Sequence, residues 1–188
     1  LGFAEPSLIE ILANLPFDFV YLDGEHGRFT LRELEECCRA AELFDLTVLY
    51  RIPEIEPNLI SQVLNAGVSG LIAPHVDTAD DVRRLVDASL MSPEGHRPNG
   101  GSRSNRYWHG IGDLPAAIAE VNANISLSIQ IESRQGVDAI DDILQVEGVD
   151  YYTIGKADLA QSLGLPRLPS GHHPDVLAVV AAVEQRIR

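Results

Sequence analysis

The chain has 188 residues, 45% of them apolar, enough for one domain with a sizeable core. Its 28 acidic and 14 basic residues give a formal net charge of −14, which argues against long-range attraction to DNA, RNA or acidic membranes. No apolar run approaches the roughly 20 residues of a membrane span and no charged-then-apolar signal opens the chain, so a soluble cytoplasmic protein is expected.

In chain order, a short strand could precede Ser7, where only residues 1–4 are available. A strand over 17–23 runs into Gly24, Glu25 and His26. Thr30 and Glu33 then form a capping box, and Leu31, Leu34, Cys38 and Ala41 share one face of the helix that follows. Cys37 and Cys38 are the two cysteines; as helical neighbours their side chains diverge, so no disulfide between them is expected. Strand 47–51 ends in Arg51, and Pro53 and Pro57 lead to a helix over 58–66 stopped by Gly67. Strand 69–73 meets Pro74, and Thr78 to Asp81 starts a helix running to about residue 90.

Residues 91–112 break the rhythm with Gly, Pro, Asn, Ser and Arg; loops beyond about 12–15 residues are usually functional or mobile. A helix over 113–123, strand 126–132, a helix near 135–145, strand 150–155 and a helix over 157–163 follow. Pro166, Pro169 and Gly171 mark an irregular link before a last helix at 174–187.

Strands alternating with amphipathic helices are the pattern of βα units around a parallel sheet. A (β/α)8 barrel typically takes about 250 residues. The expected fold class is therefore α/β, a (β/α)8 TIM barrel that is incomplete, with about six of its eight units in a single domain over 1–188 truncated at both ends. An open doubly wound sheet is the rival. Asp23, Arg51, Glu132 and Asp158 stand where strands surface, a costly place in a core and a natural one around a shared pocket. The carboxylates Glu132 and Asp158, with His26 and Arg51, suggest a divalent metal beside an anionic substrate. His75, His96, His109, His172 and His173 lack the spacing of a zinc site and read as surface or loop residues. Arg97, Arg103 and Arg106 read as solvated loop groups, subunit contacts or contacts to a substrate's distal anion.

Asp23-Gly24-Glu25-His26, Arg51, Gln130-Ile131-Glu132 and Ile154-Gly155-Lys156-Ala157-Asp158-Leu159 resemble, in order, the signature blocks of the HpcH/HpaI aldolases. The stretch 146–150 fits as well, and the likeness covers about 7–165. These are class II, metal-dependent pyruvate aldolases of the citrate-lyase-like superfamily. The resemblance implies a (β/α)8 barrel in a homo-oligomer, trimer or hexamer. It implies Glu132 and Asp158 as ligands of Mg²⁺, Mn²⁺ or Co²⁺, Arg51 as a second positive contact to the keto oxygen and His26 as the proton-transfer residue. Gln130 and the N–H groups of Ala157 and Asp158 would hold the substrate carboxylate, and Glu25 would orient a metal-bound water. The family usually has an aspartate, paired with the catalytic histidine, where this chain has Asn65, and a proline or small residue in place of Lys156.

The implied function is aldol cleavage of 4-hydroxy-2-oxo acids to pyruvate and an aldehyde through a metal-stabilised enolate. The alternatives are oxaloacetate decarboxylation or another enolpyruvate-forming reaction, to which Asn65 points, and a non-catalytic barrel binding a 2-oxo acid. Neither nucleic acid nor membrane is an expected partner.

Overall fold

The computed structural model describes residues 1–166 and 172–188. Its strands are β1 (Phe19–Asp23), β2 (Thr47–Arg51), β3 (Gly70–Ala73), β4 (Ser126–Ile131) and β5 (Tyr151–Ile154). All are parallel, and they lie in one sheet in chain order. The helices are α1 (Pro6–Ala13), α2 (Leu31–Glu42), α3 (Pro57–Ala66), α4 (Ala79–Ser89), α5 (Leu114–Ala123), α6 (Arg134–Asp138), α7 (Ile140–Ile143), α8 (Lys156–Ser162) and α9 (Pro174–Ile187). A doubly wound sheet reverses its strand order at a switch point. This order never reverses, so that rival is excluded and the sheet is a five-stranded parallel half-barrel.

Local chemistry sets the helix starts. Thr30 with Glu33 and Thr78 with Asp81 form reciprocal capping boxes at α2 and α4. Pro57 opens α3 behind a Glu56 cap, and Gly67 closes it at φ 106°, a left-handed conformation suited to glycine. Alternation along the strands does the rest. Val20, Leu22, Val48, Tyr50, Leu71, Ala73, Leu127, Ile129 and Ile131 are all buried in the main core. The opposite, concave face carries Tyr21, Asp23, Arg51 and Gln130 and leaves Phe19 and Tyr151 51% and 63% exposed.

Several expectations change. Residues before Ser7 form no strand: Leu1 O accepts from Asp23 N–H (2.8 Å), Gly2 O accepts from Arg28 N–H (2.9 Å), and only a single bridge, Phe3 to Arg28, results. The segment runs beside β1 but is too short for a ladder. Helix α1 was not foreseen, since eight residues show little period; Pro6 and the Glu5 cap start it. Leu31 is exposed, and Leu34, Cys37, Cys38, Ala40 and Ala41 make the buried face of α2. The helix near 135–145 is two short ones, interrupted at Ala139 (φ −90°, ψ 5°). A 3₁₀ turn, Arg103–Trp108, lies within the long loop. Pro169 and Gly171 lie outside the described residues.

Candidate active site

Parallel register gathers the strand ends. Asp23 is the ladder partner of Arg51, and Arg51 that of Ile72. Past β3, Val76 N–H donates to Gln130 O (3.2 Å), and past β5, Gly155 N–H donates to Ile131 O (3.0 Å). Asp23, Glu25, Arg51, the turn at His75, Gln130, Glu132 and the start of α8 thereby share the rim at the strand C-termini, where parallel barrels carry their sites.

Arg51 is fixed in place by two acids. Its Nε and Nη2 donate to Asp23 Oδ1 (2.9 Å) and Oδ2 (2.6 Å), a bidentate pair. Nη1 lies 2.8 Å from Glu25 Oε2. That contact is close but not aligned as a hydrogen bond, so Oε2 is buried without a hydrogen-bond partner among the described residues. Burial works to raise the Asp23 carboxyl, but Arg51 and the backbone N–H groups of His26 and Glu25 outweigh it and hold the group below its usual range. The Tyr21 phenol beside them is pushed up to about 12, chiefly by burial and against the pull of Arg51.

Glu132 is the most enclosed acid of the rim, 2% exposed. Its Oε1 accepts from the His75 backbone N–H (2.8 Å), and its Oε2 accepts from the Gln130 amide. No lysine or arginine pairs with it among the described residues. The His75 ring stands between two carboxylates, Nδ1 3.0 Å from Glu132 Oε1 and Nε2 2.8 Å from Glu25 Oε1. His75 is a surface loop residue, as expected, whose ring also joins the acids of the rim. A left-handed backbone at His75 (φ 53°) turns the ring back over the rim, although the side chain stays 59% exposed. Gly155 keeps β5 against Glu132: a Cβ there would lie 2.7 Å from Glu132 Cβ and 2.8 Å from Gln130 Nε2.

Asp158 is exposed in the first turn of α8. No side chain caps that helix, so the Ala157 and Asp158 N–H groups face the rim uncapped. His26 is exposed; its backbone N–H is held by Asp23 Oδ1 (3.2 Å) and its ring has no hydrogen-bond partner among the described residues.

Asn65 is not at this rim. It sits in the last turn of α3 at the strand N-termini, where its Oδ1 accepts from Arg97 Nη2 (2.8 Å), so within this chain it does not meet His26. Arg97 and Arg103, read as solvated groups, subunit contacts or contacts to a substrate's distal anion, are largely buried on that same opposite rim. Lys156 shares a hollow with Tyr152, Glu184 and Ile187 beside α9 rather than joining the acids of the rim.

The donor set suits a hard divalent cation. It offers a buried carboxylate with no lysine or arginine partner among the described residues, a second carboxylate one strand over, and a Glu25 oxygen that accepts no hydrogen bond. Among the described residues no three His, Cys, Asp or Glu side chains are grouped around one point. A pair of carboxylates would leave positions open on such an ion for water and substrate.

A family model described as HpcH/HpaI aldolase/citrate lyase matches residues 1–188. The chain belongs to this family. Within it, the chain is 37% identical over 187 residues to the hydroxypyruvate/pyruvate aldolase of Roseovarius nubinhibens, covering 100% of the chain and 71% of that relative. It is 37% identical over 183 residues to a 2-keto-3-deoxy-L-rhamnonate aldolase of Escherichia coli, covering 96% of the chain and 66% of the relative. The fold is similar to the crystal structure of an HpcH/HpaI aldolase from Desulfitobacterium hafniense, with a TM-score of 0.88, 29% identity, and coverage of 98% of this chain and 71% of that one. The chain thus spans about two thirds of the length of the relatives it matches.

Proposed function

We propose that this chain carries the catalytic rim of a class II pyruvate aldolase, which cleaves 4-hydroxy-2-oxo acids to pyruvate and an aldehyde and catalyses the reverse addition. The curated relatives named above are aldolases, and the HpcH/HpaI family generally depends on a divalent metal. The observation that carries the reading is Glu132, a buried carboxylate that meets the His75 ring but no lysine or arginine among the described residues, one strand from Asp158. Glu132 and Asp158 would hold Mg²⁺, Mn²⁺ or Co²⁺, and Gln130 orients Glu132 through its amide. When bound, the cation supplies the positive charge that polarises a 2-oxo acid.

The remaining roles fall to the chain's own groups. Arg51, clamped by Asp23, keeps N–H donors for the developing enolate oxygen. The free N–H groups of Ala157 and Asp158 receive the substrate carboxylate, with the second Gln130 N–H beside them. A ring nitrogen of His26 takes the proton from the 4-hydroxyl as the C3–C4 bond breaks, then returns a proton to C3 to form the methyl group of pyruvate. Glu25 fixes Arg51 and His75. Within this chain Asn65 pairs with Arg97 at the opposite rim and takes no part in these steps.

The fold proposal goes with it: a closed (β/α)8 barrel, one domain in which further βα units cover the concave face that here exposes Phe19 and Tyr151. The assembly is a homo-oligomer, as is typical of the family.

Calorimetric titration with Mn²⁺ and then pyruvate tests the reading. Wild type should bind the ion and bind pyruvate only in its presence, and Glu132→Ala should lose both and lower aldol cleavage by about two orders of magnitude or more. Unchanged Mn²⁺ affinity in Glu132→Ala would sink the assignment.

A further inference from the structure

A cavity of about 500 Å³ opens at the other end of the strands. Thr47 and Val48 at the start of β2, Ser69 before β3 and Ile125 before β4 all line it, so it lies across the sheet from the carboxylate rim. Its wall includes Arg97, which is 3% exposed. Arg97 Nη2 donates to Asn65 Oδ1 (2.8 Å) and Ser104 Oγ (3.3 Å), both neutral oxygens. Its Nε is buried without any partner, and no carboxylate pairs with the guanidinium among the described residues. Burial pulls Arg97 down to about 10, which still leaves it charged at neutral pH.

A whole positive charge is therefore held beside open volume by uncharged groups alone. Such a charge is costly to bury unless an anion compensates it. The acids on the cavity wall do not fill that role: Glu42 is paired with Arg103, and Asp45 and Glu120 form no ion pair with Arg97. Around the charge the floor is rigid. Asn105 is buried, with its amide donating to Gly100 O (2.7 Å) and its Oδ1 accepting from Ser102 N–H (2.8 Å). Trp108, Leu64 and Val121 supply apolar wall on the same cavity.

We propose that this cavity binds a small organic oxyanion, a carboxylate or phosphate monoester, with its charged end on Arg97 and its apolar body against Trp108 and Val121. The two rims are separate, so the proposal is independent of the aldolase reading. A charged head with an apolar body is the ligand class that a buried guanidinium next to an aromatic wall recognises.

The test uses full-length protein in a metal chelator, titrated with inorganic phosphate and with phenyl phosphate, against sodium chloride at matched ionic strength. Expected are one saturable site per chain, a rise in Tm beyond the chloride control, and tighter binding of phenyl phosphate than of phosphate. Asn65→Asp installs a carboxylate on the guanidinium; it should raise Tm without ligand and weaken phosphate binding by about tenfold or more. Arg97→Gln should weaken binding likewise. The proposal is overturned by absence of saturable binding in wild type, or by phosphate affinity unchanged in Asn65→Asp. It is also overturned if binding is lost only in Arg51→Ala, which puts the anion on the other rim. Dissociation of an oligomer by Asn65→Asp, with no phosphate bound to wild type, would mean that a neighbouring copy supplies the counter-charge, and overturns it too.

Discussion

Gly155 governs how closely β5 can approach Glu132. An alanine Cβ would sit 2.7 Å from Glu132 Cβ, well inside van der Waals contact, so the carboxylate must move. Gly155→Ala is expected to cost about 1–3 kcal/mol of stability by overpacking while weakening Mn²⁺ binding far more than that loss would explain. Calorimetry beside a denaturation curve checks it, and wild-type Mn²⁺ affinity in the variant would show that Glu132 needs no such space. At this scale the sequence was informative where chemistry stands in line with a strand. Asp23, Arg51 and Glu132 each end or follow one, and their meeting follows from the parallel register. His75 was illegible because a left-handed turn, rather than its neighbours in sequence, carries its ring between Glu25 and Glu132. Arg97 was illegible for a related reason: a Gly- and Pro-rich stretch reads as solvated, yet here it folds back over α3 and buries its cation against Asn65.

Among the elements, α2 and α4 were readable because their boundaries are written in side chains. Thr30 and Glu33 satisfy each other's backbone N–H groups at α2. Removing that hydroxyl in Thr30→Ala should cost about 1 kcal/mol, lowering Tm by about 2–4 °C for a chain of this size. Thermal denaturation measures this directly; an unchanged Tm would mean that water replaces the cap without loss. Helix α1 and the break at Ala139 are not legible in the sequence because short helices hold too few turns to set a period, and tertiary contacts decide them. The N-terminal segment follows the same logic. Its pairing with β1 depends on where Arg28 comes to lie, which its own four residues do not encode.

For the whole molecule, acid is the informative stress. Among the described residues, four carboxyls are held below their ordinary range. Burial opposes the shift at Asp23 and at Asp81, where Arg51 and Thr78 with Arg84 respectively outweigh it; at Glu33 and Glu56 backbone N–H groups at helix starts are the chief cause. A lowered folded-state pKa gives stability that is present above the unfolded value, near pH 4, and lost as pH falls through the folded values. Neutralising part of a net charge of −14 relieves self-repulsion and works the other way at first. The denaturant midpoint should therefore stay nearly level from about pH 7 to about pH 5 and fall below about pH 4. A midpoint that keeps rising toward pH 3 would show repulsion to outweigh these carboxyls. No helix among the described residues is long and apolar enough to cross a membrane. The half-barrel itself was legible from strand–helix alternation, while its concave face was not, because alternation alone does not say which side of a strand lacks a cover.

Asp23 and Arg51 face each other across one rung of the ladder, and the pleat sends successive side chains to opposite sides. Gaining or losing one residue inside β1 would send Leu22 to the ionic edge and drive Asp23 into the oily layer under the helices. Point substitution can thus retune this edge one group at a time, whereas changes of chain length are tolerated only in the connections, which leaves the spacing of the ionic groups locked to the backbone repeat.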